Sequence, residues 1–249
     1  QDGGAEVENT AIGSQAGQAI DLGRENVLVG ANVGDALDHA DYNVAMGNSA
    51  LGADVKGHKS TAIGYASLNA QSFSSSTDSH NTAVGYFSGV SITTGTGNTL
   101  IGSEAGDALT DADLNVAIGN MALSSDTLGG LSTAIGYQAL KTQNFSSATT
   151  SYNTAVGYNS GLLVTTGTQN TLIGYQSGTA LTDADFNVAL GTNALASDTQ
   201  GSKSTAIGTQ ALNTQNFSSA TDSHNTAVGY QAGLNLTTGQ FNTLIGSES

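Results

Sequence analysis

Carboxylates recur in register at Asp41, Asp113 and Asp185, and Asp111 and Asp183 lie two residues before the latter pair. Paired acids at such spacing could hold a calcium ion or flank a glycosidic bond. The Gly-Gly-x-Gly-x-Asp repeat of calcium-binding rolls is missing, however, and Asp is ordinary turn chemistry. Solvated turns are therefore the expectation, with calcium and glycan hydrolysis as the sharper alternatives. The histidines His39, His58, His80 and His224 show no metal-ligand spacing. His80 and His224 are equivalent in the repeat described below, yet Tyr152 stands at that place in the middle set, and a required ligand is not exchanged for Tyr. Serine is abundant without a nucleophile elbow or a paired His and Asp. Glycine-rich segments never open a helix, which argues against a phosphate loop. No catalytic residue, metal or cofactor is assigned, and the chain is not expected to be an enzyme.

Bulk composition points the same way. Five Lys and Arg stand against 20 Asp and Glu, a formal net charge of −15. Phosphate recognition needs clustered cations, so nucleic acid and anionic membranes are poor partners. Cysteine is absent, which removes disulfides, thiolate metal sites and a thiol nucleophile. No apolar run approaches the roughly 18 residues of a membrane helix. Gln1 is followed by the polar stretch Asp2-Gly3-Gly4-Ala5-Glu6 rather than a signal-peptide core. A chain opening on Gln is expected to be processed or cut from something longer.

What organises the chain is a repeat. The motif [Asn/Ser]-[Thr/Val]-[Ala/Leu]-aliphatic-Gly returns fourteen times, with glycines from Gly13, Gly30, Gly47 and Gly64 to Gly229 and Gly246. The spacings 17, 17, 17 and 21 recur in that order, so four motifs make one super-repeat. The Thr or Val and the aliphatic residue stand two apart and share one side of an extended chain. β-Branching favours a strand. The expectation is a short strand with those two positions packed inward and the small residue between them outward. The Gly permits a tight bend, and a small residue three places later (Ala16, Val33, Ala50, Ser67, Ser88) suggests a second short strand. Stacked coils of this kind make an all-β, parallel β-solenoid of 14 rungs, a single domain over 9–249.

Several columns follow from stacking. Asn precedes each strand except at Ser60, Ser132 and Ser204, so the amides should form a hydrogen-bonded ladder. Tyr follows the motif Gly at Tyr65, Tyr86, Tyr137, Tyr158, Tyr175 and Tyr230. Stacking at a corner is the favoured reading, and a sugar-binding stripe is the alternative. The longer rungs carry Phe73, Phe145 and Phe217 in Ser/Thr-rich bulges. The favoured reading is that the Phe tucks into a local extension of the core, with contact to another rod or a ligand as the alternative, and Phe73, Asn144, Phe145, Asn216 and Phe217 are the candidate exposed-loop residues for receptor or glycan contact. Asn144, Asn216 and Asn235 lie in glycosylation sequons. Ice binding needs a flat two-column Thr array. Val27, Val44, Val116 and Val188 interrupt the Thr column, which is expected to face inward.

Segments such as Asn-Thr-Ala-Val-Gly-Tyr-x-Ser-Gly and Ser-Thr-Ala-Ile-Gly-Tyr-Gln-Ala-Leu resemble the head repeats of YadA-like trimeric autotransporter adhesins. They are also similar to repeats of bacterial and phage tail-fibre-domain proteins. The resemblance covers nearly the whole chain. It implies a left-handed β-roll, often trimeric, displayed on a cell surface or virion. Family heads commonly use a rung of about 14 residues, whereas these are 17 and 21.

The termini continue the phase. Joining Ser249 of one copy to Gln1 of another gives a glycine spacing of 16, one short of a standard rung. The junction GSES/QDGGAEVEN then parallels the internal GSEAGDALTDADLN. The expected assembly is a head-to-tail filament in which residues 1–8 complete a neighbour's rung. Its interface would comprise Gln1, Asp2, Glu6, Val7, Glu8, Leu244, Ile245, Gly246, Ser247, Glu248 and Ser249. The expected function is thus a structural subunit of an extracellular filament or surface appendage, its partners being copies of itself and host or matrix glycans or proteins. The alternative is a trimeric adhesin head or tail-fibre shaft that binds a receptor.

Overall fold

The computed structural model describes residues 8–249. It is a parallel β-solenoid of fourteen rungs without a helix among the described residues. The chain falls into two compact units, the first ending at Asn120 and the second spanning Met121–Ser249. In the first unit the rungs carry the strands Thr10–Ile12, Val27–Val29, Val44–Met46, Thr61–Ile63, Thr82–Val84, Thr99–Ile101 and Val116–Ile118. In the second they are Thr133–Ile135, Thr154–Val156, Thr171–Ile173, Val188–Leu190, Thr205–Ile207, Thr226–Val228 and Thr243–Ile245. Within each unit every strand pairs parallel and in register with the next, Thr154 against Thr171 and Ala155 against Leu172, for example.

The faces of these strands are the reverse of the sequence expectation. The middle residue points inward. Ala45, Ala62, Leu100, Ala155 and Leu172 are fully buried, whereas Thr61 and Ile63 are half-exposed and Val44 and Met46 exposed. The interior explains why. Each coil is thin, and the middle residue meets the side chain four places after the motif Gly, so both cannot be large. Where the strand holds Leu28, Leu100, Leu172 or Leu244, the facing position in that rung or the rung before is glycine. A Cβ on Gly89 would sit 2.7 Å from Leu100 Cδ1, and one on Gly161 2.8 Å from Leu172 Cδ1. Where the strand holds Ala, the facing position is often a buried Leu, such as Leu51, Leu123 or Leu195. Close packing is kept by trading volume across the coil.

Among the described residues the expected second strand directly after the Gly is not formed; two-residue strands pair further along the third and fourth rungs instead, Gly57–His58 with Thr77–Asp78, Gly129–Gly130 with Thr149–Thr150 and Gly201–Ser202 with Thr221–Asp222. The residues directly after the Gly are turns in which the second residue after the Gly takes a left-handed conformation, as at Gln138 (φ 55) and Asn159 (φ 54). Rung-to-rung bonds nonetheless continue, with Leu140 N donating to Ser160 O at 3.1 Å. The small residue three after the Gly is buried, and Ser160 Oγ donates to Leu172 O of the next rung at 2.8 Å. Motif glycines are required by proximity as well as by φ. A Cβ on Gly157 (φ +139) would lie 2.3 Å from Gly174 O.

The Asn ladder is present. Asn43 N donates to Asn26 Oδ1 at 2.9 Å, and Asn26 Nδ2 donates to Ala40 O at 2.8 Å. One amide therefore satisfies a backbone N–H of the next rung and a carbonyl within its own coil. In the second unit Asn187 does the same for Ser204 N and Gly201 O.

The inverted faces make a direct test. Leu172→Ala should cost about 2–5 kcal/mol as a core cavity, while Ile173→Thr next to it should cost less than about 1 kcal/mol. Urea unfolding of the two variants decides which side is inside; the opposite ranking would reject the inward assignment.

Candidate functional site

The longer rungs hold the least expected chemistry. Seven residues after the motif Gly, most coils place an apolar side chain inward, such as Leu37, Ile92 or Leu181. In the third and fourth rung of each set this place is taken by Asp54 and Gln71, Asp126 and Gln143, or Asp198 and Gln215, all fully buried. Asp126 Oδ1 accepts from Gly129 N at 3.0 Å and Phe145 N at 3.2 Å, and Oδ2 accepts from Gln143 Nε2 at 2.6 Å. Gln143 Nε2 also donates to Ser132 Oγ at 2.7 Å, and Asn153 Nδ2 donates to Gln143 Oε1 at 2.8 Å. The Gln side chain thus stands in for the amide that Ser132 lacks and carries the ladder across the longer coil. The same bonds recur at Asp54 and at Asp198. Gly129 is obligatory here, because a Cβ would fall 2.1 Å from Asp126 Oδ2. Sequence reading passed over these acids, although an Asp and a Gln one rung apart at an otherwise apolar place was a visible signal.

This network fixes the bulges. Phe73, Phe145 and Phe217 are buried, each 5% exposed, so their assignment as exposed-loop residues is corrected. Their rings close over the coil, and the backbone N–H of each is anchored on the buried Asp. Asn144 and Asn216 beside them are exposed, as expected, and accept from Thr127 Oγ1 and Thr199 Oγ1, each at 3.1 Å.

The structure brings together one constellation that sequence did not: Asp41, His58 and Ser76. His58 is buried, with Nε2 2.7 Å from Ser76 Oγ and Nδ1 3.7 Å from Asp41 Oδ2. The arrangement resembles a hydrolytic triad, but its protons run the wrong way. Nδ1 accepts from the Asp41 backbone N–H at 2.8 Å, so neutral His58 carries its proton on Nε2 and donates it to Ser76. A general base needs that nitrogen free. Equivalent places carry Gly130 and Ser202 for His58, and Ala148 and Ala220 for Ser76. Ser202 Oγ takes over as acceptor for Asp185 N at 3.0 Å, which marks the role as structural.

The turn acids are likewise occupied by the chain itself. Thr93 and Thr94 hydroxyls donate to Asp111 Oδ1 at 2.8 and 2.6 Å, and Thr96 N and Oγ1 donate to Asp113 Oδ1 at 2.6 and 2.9 Å. Asp185 is bound by Thr168 in the same way, while Asp183 accepts from its neighbour Thr182. The bonds from Thr94 and Thr93 hold the Asp111 carboxyl below the usual carboxylate range. No cluster of three metal-ligating side chains occurs among the described residues. Of the other histidines, His39 pairs with Asp38 at 2.7 Å, His80 lies 3.9 Å from Asp78, and His224 stacks on Phe241. Tyr65 stacks on Tyr86, and Tyr137, Tyr158 and Tyr175 form a continuous stack.

The outward strand positions form a column of Thr or Val beside a column of Ile, Val, Leu or Met, with no charged residue at any rung of either unit. The Thr column is outward, contrary to expectation, but its neighbour is aliphatic, not the second Thr column that ice binding requires. The C-terminal residues of the expected interface lie in the last described rung. A cavity of about 580 Å³ opens there between Leu234, Leu236, Leu244 and Ser249. Ile245 is 72% exposed, Leu244 is half-buried, and Gly246, Ser247, Glu248 and Ser249 are exposed. Of the proposed N-terminal interface, Glu8 is exposed, and Gln1, Asp2, Glu6 and Val7 lie outside the described residues. The chain matches no protein-family model, no curated protein and no solved structure.

Asp126→Ala should strip three buried donors of their acceptor, a loss on the order of 3–5 kcal/mol. Asp126→Asn should cost less by retaining an oxygen; equal unfolding midpoints for the wild type and Asp126→Ala would show the network to be idle. Asp107 supplies a pH test. Desolvation, with a smaller push from Glu104, raises its carboxyl above the ordinary value, and its Oδ1 has no hydrogen-bond partner among the described residues. The folded state therefore holds this proton more tightly than the unfolded chain, and stability falls as pH rises from the ordinary carboxylate value through the raised one. Asp107→Asn is expected to raise the Tm at pH 7, with the gain fading as pH drops towards 3.8.

Proposed function

We propose that this chain is a structural subunit of an extracellular filament or surface appendage, assembled end to end by rung completion. The observation that supports the reading is that one rung-to-rung junction repeats throughout each unit, so that any rung presents the edge another rung of the same pattern needs. At the junctions inside a unit, the strand's first N–H donates to the carbonyl of the Asn or Ser that precedes the next strand, as Thr226 N does to Asn242 O at 2.8 Å and Val188 N to Ser204 O at 2.9 Å. The next Gly N–H donates back, as Gly246 N does to Val228 O at 2.9 Å. Thr243 N and Ile245 O stand in the last described rung where Thr226 N and Val228 O stand in the one before, and Asn9 O and Gly13 N stand in the first where Asn242 O and Gly246 N stand in the last. A second copy laid on this edge repeats the internal junction and covers the cavity beside Leu244. Such a heterologous contact does not close on itself and generates a fibre. The exposed Asn144 and Asn216 bulges would then serve as attachment points for matrix or host glycans and proteins.

A second reading, a trimeric adhesin head or tail-fibre shaft, is supported by the uncharged strand face. A chain of net charge −15 that keeps two outward columns free of charge is suited to burying them against identical columns. Deleting residues 1–8 separates the two. Loss of long fibres from negative-stain images, with a folded protein retained, is the result expected; undiminished fibres would reject rung completion. Discrete trimers that dissociate on Ile135→Glu and Ile207→Glu substitution would favour the lateral assembly instead.

A further inference from the structure

The tyrosine stacks have a property that neither assembly reading uses. Tyr137 and Tyr158 lie with ring centroids 5.2 Å apart and planes 13° from parallel, and Tyr158 and Tyr175 lie 5.4 Å apart at 10°. In the first unit Tyr65 and Tyr86 are 5.5 Å apart at 16°. Exposure of the five rings runs from 41% to 50%. Rings stacked face on face leave mainly their edges to solvent, which disfavours a sugar-binding stripe, since a sugar docks on an aromatic face. The phenol oxygen and the carbons ortho to it belong to the ring edge, and the near-parallel planes hold successive rings within reach of one another. Tyr42, Tyr152 and Tyr230 are as exposed, 51–58%, but have no tyrosine stacked on them.

We propose that the stacked tyrosines are sites of oxidative cross-linking, in which adjacent rungs are joined through dityrosine when a haem peroxidase and hydrogen peroxide are supplied. Each phenol gives up one electron and its hydroxyl proton to the peroxidase, leaving two phenoxyl radicals. The radicals couple by forming one carbon–carbon bond between Cε atoms. Each Cε then loses its proton while the oxygen regains one, which restores both aromatic rings. The two electrons and two protons released reduce one hydrogen peroxide to two waters. No metal or cofactor of this chain takes part. Radical coupling competes with diffusion and with other quenching, so a partner ring already held within about one strand spacing has the advantage of proximity.

The bond would staple successive rungs across a long coil at Tyr137–Tyr158 and Tyr65–Tyr86, and across a short one at Tyr158–Tyr175. Restricting the unfolded chain in this way stabilises the rungs it joins, as other covalent staples do.

The full chain is treated with horseradish peroxidase and limiting peroxide. The expected product is a monomer on a denaturing gel that shows dityrosine fluorescence and lacks two hydrogens in mass per cross-link. Its linked peptides should pair Tyr158 with Tyr137 or Tyr175, and Tyr65 with Tyr86. Tyr158→Phe keeps the ring and the stack but removes the central phenol. It should unfold like the wild type before oxidation and retain only the Tyr65–Tyr86 link. Cross-links mapped to Tyr42, Tyr152 or Tyr230, dityrosine found only in covalent dimers, or an unchanged yield in Tyr158→Phe would each overturn the assignment.

Discussion

Everything in this fold rests on the inward-facing amide that precedes each strand. A coil this short turns its backbone inward at several places, and a buried polar group without a partner costs more than most single contacts return. Outside the Ser60, Ser132 and Ser204 rungs, one Asn per rung answers this need, bonding upward to the next rung's N–H and across to a carbonyl of its own coil. Because each amide serves its neighbour, no rung is complete alone. The strands are very short, and their ladders by themselves would be marginal. It is the amide column together with the close-packed glycines that sets the distance and register at which the rest can stack.

That dependence explains the third and fourth rungs of each set. Ser60, Ser132 and Ser204 are too short to continue the column, and the coil each one begins is the longer one. The molecule restores continuity with a Gln reaching from the seventh place after the motif Gly, held in turn by a buried carboxyl. Three otherwise unrelated features, the Ser, the long coil and the buried Phe, are therefore one device. The bulge is anchored from inside, which is why its Phe is covered while the neighbouring Asn stays in water. The surface that a partner could read is the polar rim of the bulge rather than its aromatic centre.

Much of this was legible beforehand. Fixed spacing predicted the rungs, the Asn column predicted its own hydrogen bonds, and recurrent Tyr predicted the stacks. What failed was the sidedness of the strands. In so short a strand, Thr-Ala-Ile can be read either way, and the usual association of β-branching with burial chose the wrong one. In a coil this thin the interior admits Ala, or Leu opposite Gly, while β-branched residues gain their contacts from like residues above and below. The pairing of Leu28 with Gly34 and of Leu100 with Gly89 was present in the letters, but it carries meaning only once the middle residue is known to face in. The Asp41, His58 and Ser76 grouping was hidden for a different reason: each member is a whole coil away from the next in sequence, and they meet only through stacking.

The exchange of volume across the coil also constrains how such a chain can change in length. A rung with Leu in its strand needs glycine in itself and in the rung before, and the Asp rung must be followed by the Gln rung. Losing the first rung of a set would bring the set's Leu strand against the Leu of the preceding rung, and losing the fourth would leave a buried carboxyl without its amide. A whole set of four can be inserted or removed with every neighbour preserved. Length variation in such chains should therefore come in multiples of the full set, so that the four-rung block, rather than the single coil, is the unit of inheritance.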